Sequence, residues 1–191
     1  MRSLIAIPIL LGLTTGVFAR EVPPVAASCI ECHAAAGNRT SLPRLEGQNQ
    51  DYLRMTLSQF RASHRKAFPM NAIAADLADA DIETLSAWFA NQPWGGEPVV
   101  ADPERVDAGA QLVQRFDCAA CHGPAFAGTA VIPRTAGQNP IYLARQLRSF
   151  AGGERYHPPT GTGARMFRLD ETEIEALAAY LAQLPEPLGD R

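Results

Sequence analysis

Apolar residues return along this chain at steps of three and four, not at every second position. Leu53, Leu57 and Phe60 stand at i, i+4 and i+7, and Leu143, Leu147 and Phe150 repeat that spacing. Side chains so spaced share one face of an α-helix, so the pattern predicts two amphipathic helices. Ile82, Leu85 and Phe89 predict a third, and Ile174, Leu177 and Leu181 predict its later counterpart in the same register. Asp170, followed three residues on by Glu173, marks a helix start at which each side chain satisfies the other residue's backbone N–H. Asp102 before Pro103 marks another, and ERVDAGAQLVQRF (104–116) reads as the helix it opens. No segment alternates apolar and polar residues as a half-buried strand does, so the chain is predicted to be all-α.

The helices come in two matching sets. CIECH at 29–33 returns as CAACH at 118–122, and PRLEGQNQDYL at 43–53 as PRTAGQNPIYL at 133–143. Arg65 then corresponds to Arg155, and LADADIETLSAWFANQP at 77–93 to LDETEIEALAAYLAQLP at 169–185. Because the order is the same in both, the chain reads as a duplicated unit with domains at 20–92 and 104–191. Residues 93–103, PWGGEPVVADP, are rich in proline and glycine and read as the linker. The copies differ at their starts. A whole helix is predicted before CAACH, but only REVPPVAAS (20–28) stands before CIECH, so the first pair of cysteines is expected nearer solvent.

Cys-x-x-Cys-His is the attachment pattern of c-type haem. Its two thiols lie on one turn of chain, where each can add to a vinyl group of the porphyrin, and the adjacent histidine is then held beneath the iron. A thioredoxin-like redox pair accounts for the cysteines but not for the histidine. A four-cysteine zinc site needs Cys29, Cys32, Cys118 and Cys121 to converge from opposite halves, unlike the usual structural zinc spacings. Two disulfides are chemically open to an exported chain. Two copies of the motif inside a repeat favour two covalently attached haem c groups, with His33 and His122 as iron ligands.

Each iron then has a sixth position, and a thioether opposite histidine raises its reduction potential. Met70 and Met166 lie between the matched arginines and the last helix of their halves, which makes them the expected ligands. Met55 corresponds to Arg145 and has no partner in the repeat. The placements differ, because YHPPTGTGAR (156–165) lengthens the loop before Met166 and brings in His157 as a rival. His64 is the rival in the first half.

The first residues, MRSLIAIPILLGLTTGVFAR, carry one arginine ahead of an apolar run and end in small residues. They read as a signal peptide cleaved after Ala19. The run from Leu4 to Val17 is roughly 14 residues, short of the roughly 20 a spanning helix needs. The remainder is therefore expected in the periplasm. With 17 basic and 20 acidic side chains the net charge is -3, and no basic surplus points to nucleic acid. No general base, substrate pocket or open metal position is legible, so the reading is an electron carrier and not an enzyme.

The duplicated order of CxxCH, proline, Gly-Gln, Tyr-Leu, a helix ending in phenylalanine, arginine, methionine and an alanine-rich last helix resembles the dihaem cytochromes c of the cytochrome c4 type. The resemblance covers nearly all of the chain after residue 19. It implies two class I cytochrome c domains related by an approximate two-fold axis, each around one His/Met haem, passing electrons in the periplasm toward terminal oxidases. It also implies that the carbonyls of Pro43 and Pro133 accept hydrogen bonds from the proximal histidines. Arg44, Arg134, Tyr52 and Tyr142 are candidates for haem propionates, against a plainer role in surface or core packing. The partners expected are a redox donor and a terminal oxidase or dehydrogenase, with peripheral membrane association through them. The alternative is a dedicated electron-transfer subunit of a larger dehydrogenase or sulfur-oxidising flavoprotein.

Overall fold

A computed structural model describes residues 21–33, 41–94, 99–162 and 168–185. A 3₁₀ turn, Pro24–Ala26, runs into α1 (Ala27–His33), followed by α2 (Gln50–Arg61), α3 (Met70–Ala75) and α4 (Asp79–Ala90). Then come α5 (Pro103–Arg115), α6 (Ala119–His122), α7 (Pro140–Ala151) and α8 (Glu171–Gln183). Among the described residues the sole strand-like feature is an isolated antiparallel bridge between Thr129 and Ile132. The predicted stripes are the buried faces: Leu53 and Phe60 on α2, Leu143 and Leu147 on α7, Leu85 and Phe89 on α4, Leu177 and Leu181 on α8. The predicted caps form as well, with Asp102 accepting from Glu104 N–H at 2.8 Å and Asp170 from Glu173 N–H at 2.8 Å. The short helix α3 was not anticipated, because six residues carry too little periodicity.

Two apolar cores form, one around Ala26, Leu53, Leu85 and Phe89, the other around Leu112, Val113, Phe116, Leu143, Leu177 and Leu181. In the second, α5 crosses α8 at Gly109. A Cβ there would stand 2.2 Å from the Ala176 carbonyl oxygen and 2.6 Å from the Tyr180 Cβ, so only glycine lets the helices close. Among the described residues the first half has no such helix, but the turn Pro24–Ala26 packs on α4 and leaves Ala26 0% exposed. That turn overturns the expectation of a more exposed first motif. Cys29 and Cys118 are both half-buried, and Cys32 and Cys121 are both exposed.

The halves are joined by a reciprocal exchange. Gln138 accepts from Arg44 N–H at 2.8 Å and donates to the Arg44 carbonyl at 3.0 Å. Gln48 accepts from Arg134 N–H at 2.7 Å and donates to the Arg134 carbonyl at 2.9 Å. Both amides are almost fully buried. The preceding glycines, Gly47 and Gly137, have φ of 62° and 67°, a left-handed conformation that other residues adopt only with strain. Their N–H groups donate to Phe89 and Leu181 carbonyls at the ends of α4 and α8. Trp94, within the expected linker, is buried against both glycine turns, with the Arg134 guanidinium 4.8 Å over its ring.

Candidate functional site

Each motif sits on a short helix whose end presents the histidine. His33 closes α1 and His122 closes α6, and their Nδ1 atoms lie 2.9 Å and 3.0 Å from the carbonyls of Pro43 and Pro133. A carbonyl can only accept, so each Nδ1 carries the proton and each Nε2 keeps its lone pair for a metal. Such a bond also fixes the ring's orientation and strengthens its basicity. Burial holds both imidazoles below the usual histidine pKa, against an opposing pull from the proline carbonyls, so both favour the neutral form that binds metal. Burial likewise raises the Cys29 thiol and pushes Cys118 up to about 11. All four cysteines are free thiols, and each motif brings two thiols and one oriented imidazole to one place.

The expected sixth ligands fare differently. Met70 opens α3 and is half-buried. The neighbouring Asn71 pins its loop: the amide accepts from Ala67 N–H at 2.7 Å and donates to the carbonyls of Phe60 and Arg65, each at 2.8 Å. The expectation for Met166 lies outside the described residues. The first rival, His64, is exposed. The second, His157, is half-buried; its ring meets the Phe150 ring edge-on at 4.9 Å and stands 6.4 Å from the ring of His122, at 18°.

Between the halves lies a buried polar cluster that the sequence did not reveal. Arg65, 8% exposed, donates to Tyr142 at 2.8 Å, to Gln146 at 3.0 Å and to Tyr52 at 3.3 Å. Arg155 donates to Gln146 at 2.6 Å and to Tyr52 at 3.4 Å. The tyrosine hydroxyls offered above to haem propionates thus accept from arginines, and the partners come from both halves. Burial would raise the Tyr52 hydroxyl, but the charges of Arg65 and Arg155 outweigh it and bring it down to about 8. Tyr142 is instead raised, by its burial and then by Tyr52. The matched positions of Arg65 and Arg155 were legible; that both would converge on one cluster was not.

The donor sets fit a covalent haem. The Trp88 Nε1–H, on α4 beside the first motif's core, is buried without a protein partner, as are the hydroxyls of Thr56 and Thr135. Orphaned buried polar atoms are uncommon in a finished interior and mark a place where a further group belongs.

Comparison with known proteins agrees with this chemistry. The cytochrome c family model matches residues 106–185. The chain is 33% identical over 178 residues to a thiosulfate dehydrogenase electron acceptor of Stutzerimonas stutzeri, covering 84% of this chain and 81% of that protein. It is 33% identical over 172 residues to cytochrome c4 of Thiocapsa roseopersicina, covering 83% and 88%. The crystal structure of reduced cytochrome c4 from Pseudomonas stutzeri superposes with a TM-score of 0.71 at 31% identity, over 84% of this chain and 95% of that one. A thiosulfate dehydrogenase structure from Marichromatium purpuratum superposes with a TM-score of 0.69 at 32% identity, over 82% of this chain and 36% of that one.

Proposed function

We propose, for a chain that belongs to the cytochrome c4 family of electron carriers, that it holds two covalent haem c groups and passes single electrons between an upstream donor and a terminal acceptor. The observation that carries this is the twofold occurrence of two free thiols beside an imidazole whose Nδ1–H is held by a proline carbonyl. Cys29 and Cys32 would anchor one group and Cys118 and Cys121 the other, with His33 and His122 as iron ligands. When bound, haem supplies a one-electron iron couple; the protein's part is to hold, orient and shelter it. Met70 would complete the first site. Its loop is fixed by the Asn71 amide, which joins Ala67, Phe60 and Arg65. The domains are 20–92 and 104–191 around a linker at 93–103. The cleaved leader of residues 1–19 puts both in the periplasm. Among the described residues no helix is long and apolar enough to cross a membrane, so contact with one would run through a partner.

A second reading has its own support. Two of the similar proteins are described as electron acceptors of thiosulfate dehydrogenase, and a third likeness is to a structure of that enzyme. The partner would then be a sulfur-compound dehydrogenase and not a terminal oxidase. Production of the full chain in a host that matures c-type cytochromes tests the core claim: its mass should show two covalent haems, and fewer would overturn it. Stopped-flow mixing of the oxidised protein with thiosulfate dehydrogenase and thiosulfate separates the readings. Rapid haem reduction favours the dehydrogenase partner, while none favours a general carrier.

A further inference from the structure

We propose that each half tunes the iron of the other, through one peptide group that joins a motif histidine to a glutamine across the boundary. This rests on the two-haem reading above and adds two positioning residues to it, Gln48 and Gln138. The Pro133 carbonyl, which accepts from His122 Nδ1–H at 3.0 Å, belongs to the same peptide group as the Arg134 N–H, which donates to Gln48 Oε1 at 2.7 Å. The Pro43 carbonyl, which accepts from His33 Nδ1–H at 2.9 Å, shares its peptide group with the Arg44 N–H, which donates to Gln138 Oε1 at 2.8 Å. The histidine of each motif is therefore two hydrogen bonds away from a side chain of the opposite half.

The two bonds act on each other. Resonance spreads charge over the whole peptide unit, so an acceptor at its N–H leaves its carbonyl oxygen more negative. Each bond in such a chain strengthens the next by roughly 10–30%, and most where water is kept away. Both glutamines are buried, at 4% and 3% exposed. A carbonyl that pulls harder on Nδ1–H makes the imidazole a stronger donor to its metal, which favours the oxidised iron. Each glutamine thus lowers the reduction potential on the far side of the boundary. By reciprocity, oxidation of one iron tightens the bond that the other half makes to it.

The glutamines are oriented for this role. Each Oε1 accepts a second N–H, from Asn49 at 2.9 Å or Asn139 at 2.8 Å, and each amide nitrogen donates to the Arg134 or Arg44 carbonyl. Turned over, the amide would set its NH₂ against two N–H groups, so the oxygen faces the peptide in both halves. A bond that only clasped the halves would, when lost, disturb both irons alike; a relay disturbs one.

The test uses the full chain with both haems attached. Haem methyl resonances, assigned to each half through their contacts with His33 or His122, follow the two potentials separately through a redox titration. Gln48→Leu should raise the potential of the second haem more than that of the first, and Gln138→Leu should do the reverse. Gln48→Glu, which keeps an oxygen at the Arg134 N–H, should bring the second haem back down from the Leu value. If Gln48→Leu does not fold, Gln48→Glu must still move the second haem and leave the first. In the ferrous protein the His122 Nδ1–H resonance should move upfield in the Gln48 variant while that of His33 stays in place. Equal shifts of both haems, a larger shift in the half that carries the substitution, or an unmoved His122 resonance overturns the proposal and leaves the two-haem reading intact. A mass with one haem overturns both.

Discussion

The second half closes over its motif with a whole helix, α5, while the first does so with a single 3₁₀ turn, yet the two histidines end up held alike. The difference teaches that orientation and cover are separate tasks. Orientation comes from the loop after the motif, where Pro43 and Pro133 stand at matching places. Cover comes from whatever lies on the last helix, and Ala26 against Leu85 and Phe89 suffices in the first half.

The largest effect is expected where cover depends on contact between backbones. Gly109→Ala should destabilise the second half by about 3 kcal/mol, because its new methyl group meets the Ala176 carbonyl. Calorimetry should then show the second half melting ahead of the first, and a loss below about 1 kcal/mol would mean that α5 does not close on α8. Next comes the exchange between the halves. Gln48→Leu and Gln138→Leu each leave a buried N–H and C=O without their partner, and each should cost roughly 2 kcal/mol and split one unfolding transition into two. Unequal costs would break the symmetry.

The caps sharpen the contrast further. Asp170→Ala should cost about 1 kcal/mol, because its carboxylate accepts from Glu173 N–H. The matching Ala78 has no side-chain acceptor, so Ala78→Ser should stabilise α4 by about 0.5 kcal/mol or more in denaturant unfolding. A further effect is a pH dependence. Tyr52 ionises near 8 in the folded chain and near 10 when unfolded, so the folded state binds fewer protons in that window and stability rises with pH across it. Tyr142 is raised, so stability falls again above about 10. Nuclear magnetic resonance of ring-labelled tyrosine should show one early titration, and Arg65→Met should move it upward.

Much of this was readable in the chain because it rests on local rules. Helical stripes, caps and CxxCH each involve residues within one or two turns of each other, and the repeat doubled every such signal. The paired Gly-Gln elements were visible too, but their purpose was not. A glutamine whose partner is the backbone of a residue 86 or 94 positions away leaves no mark on its neighbours. The same holds for Arg65, whose side chain reads as an ordinary basic residue until α7 is brought beside it. The equal cover of the two motifs was misjudged because Pro24–Ala26 is too short to show a period. Its contribution comes from one alanine wedged on α4, which composition does not announce.

The glutamine exchange has the form of a contact between identical subunits. Gln48 meets the chain at Arg134 as Gln138 meets it at Arg44, which is the isologous pairing of a two-fold dimer written into one polypeptide. Tethering alters what such a contact must achieve. Two separate copies would have to find each other at cellular dilution, whereas a short linker holds the second patch at an effective concentration on the order of millimolar. Four hydrogen bonds too weak to hold free monomers together would then fix the spacing of the two proposed haems. The distance an electron must cross becomes a property of the fold and not of protein concentration.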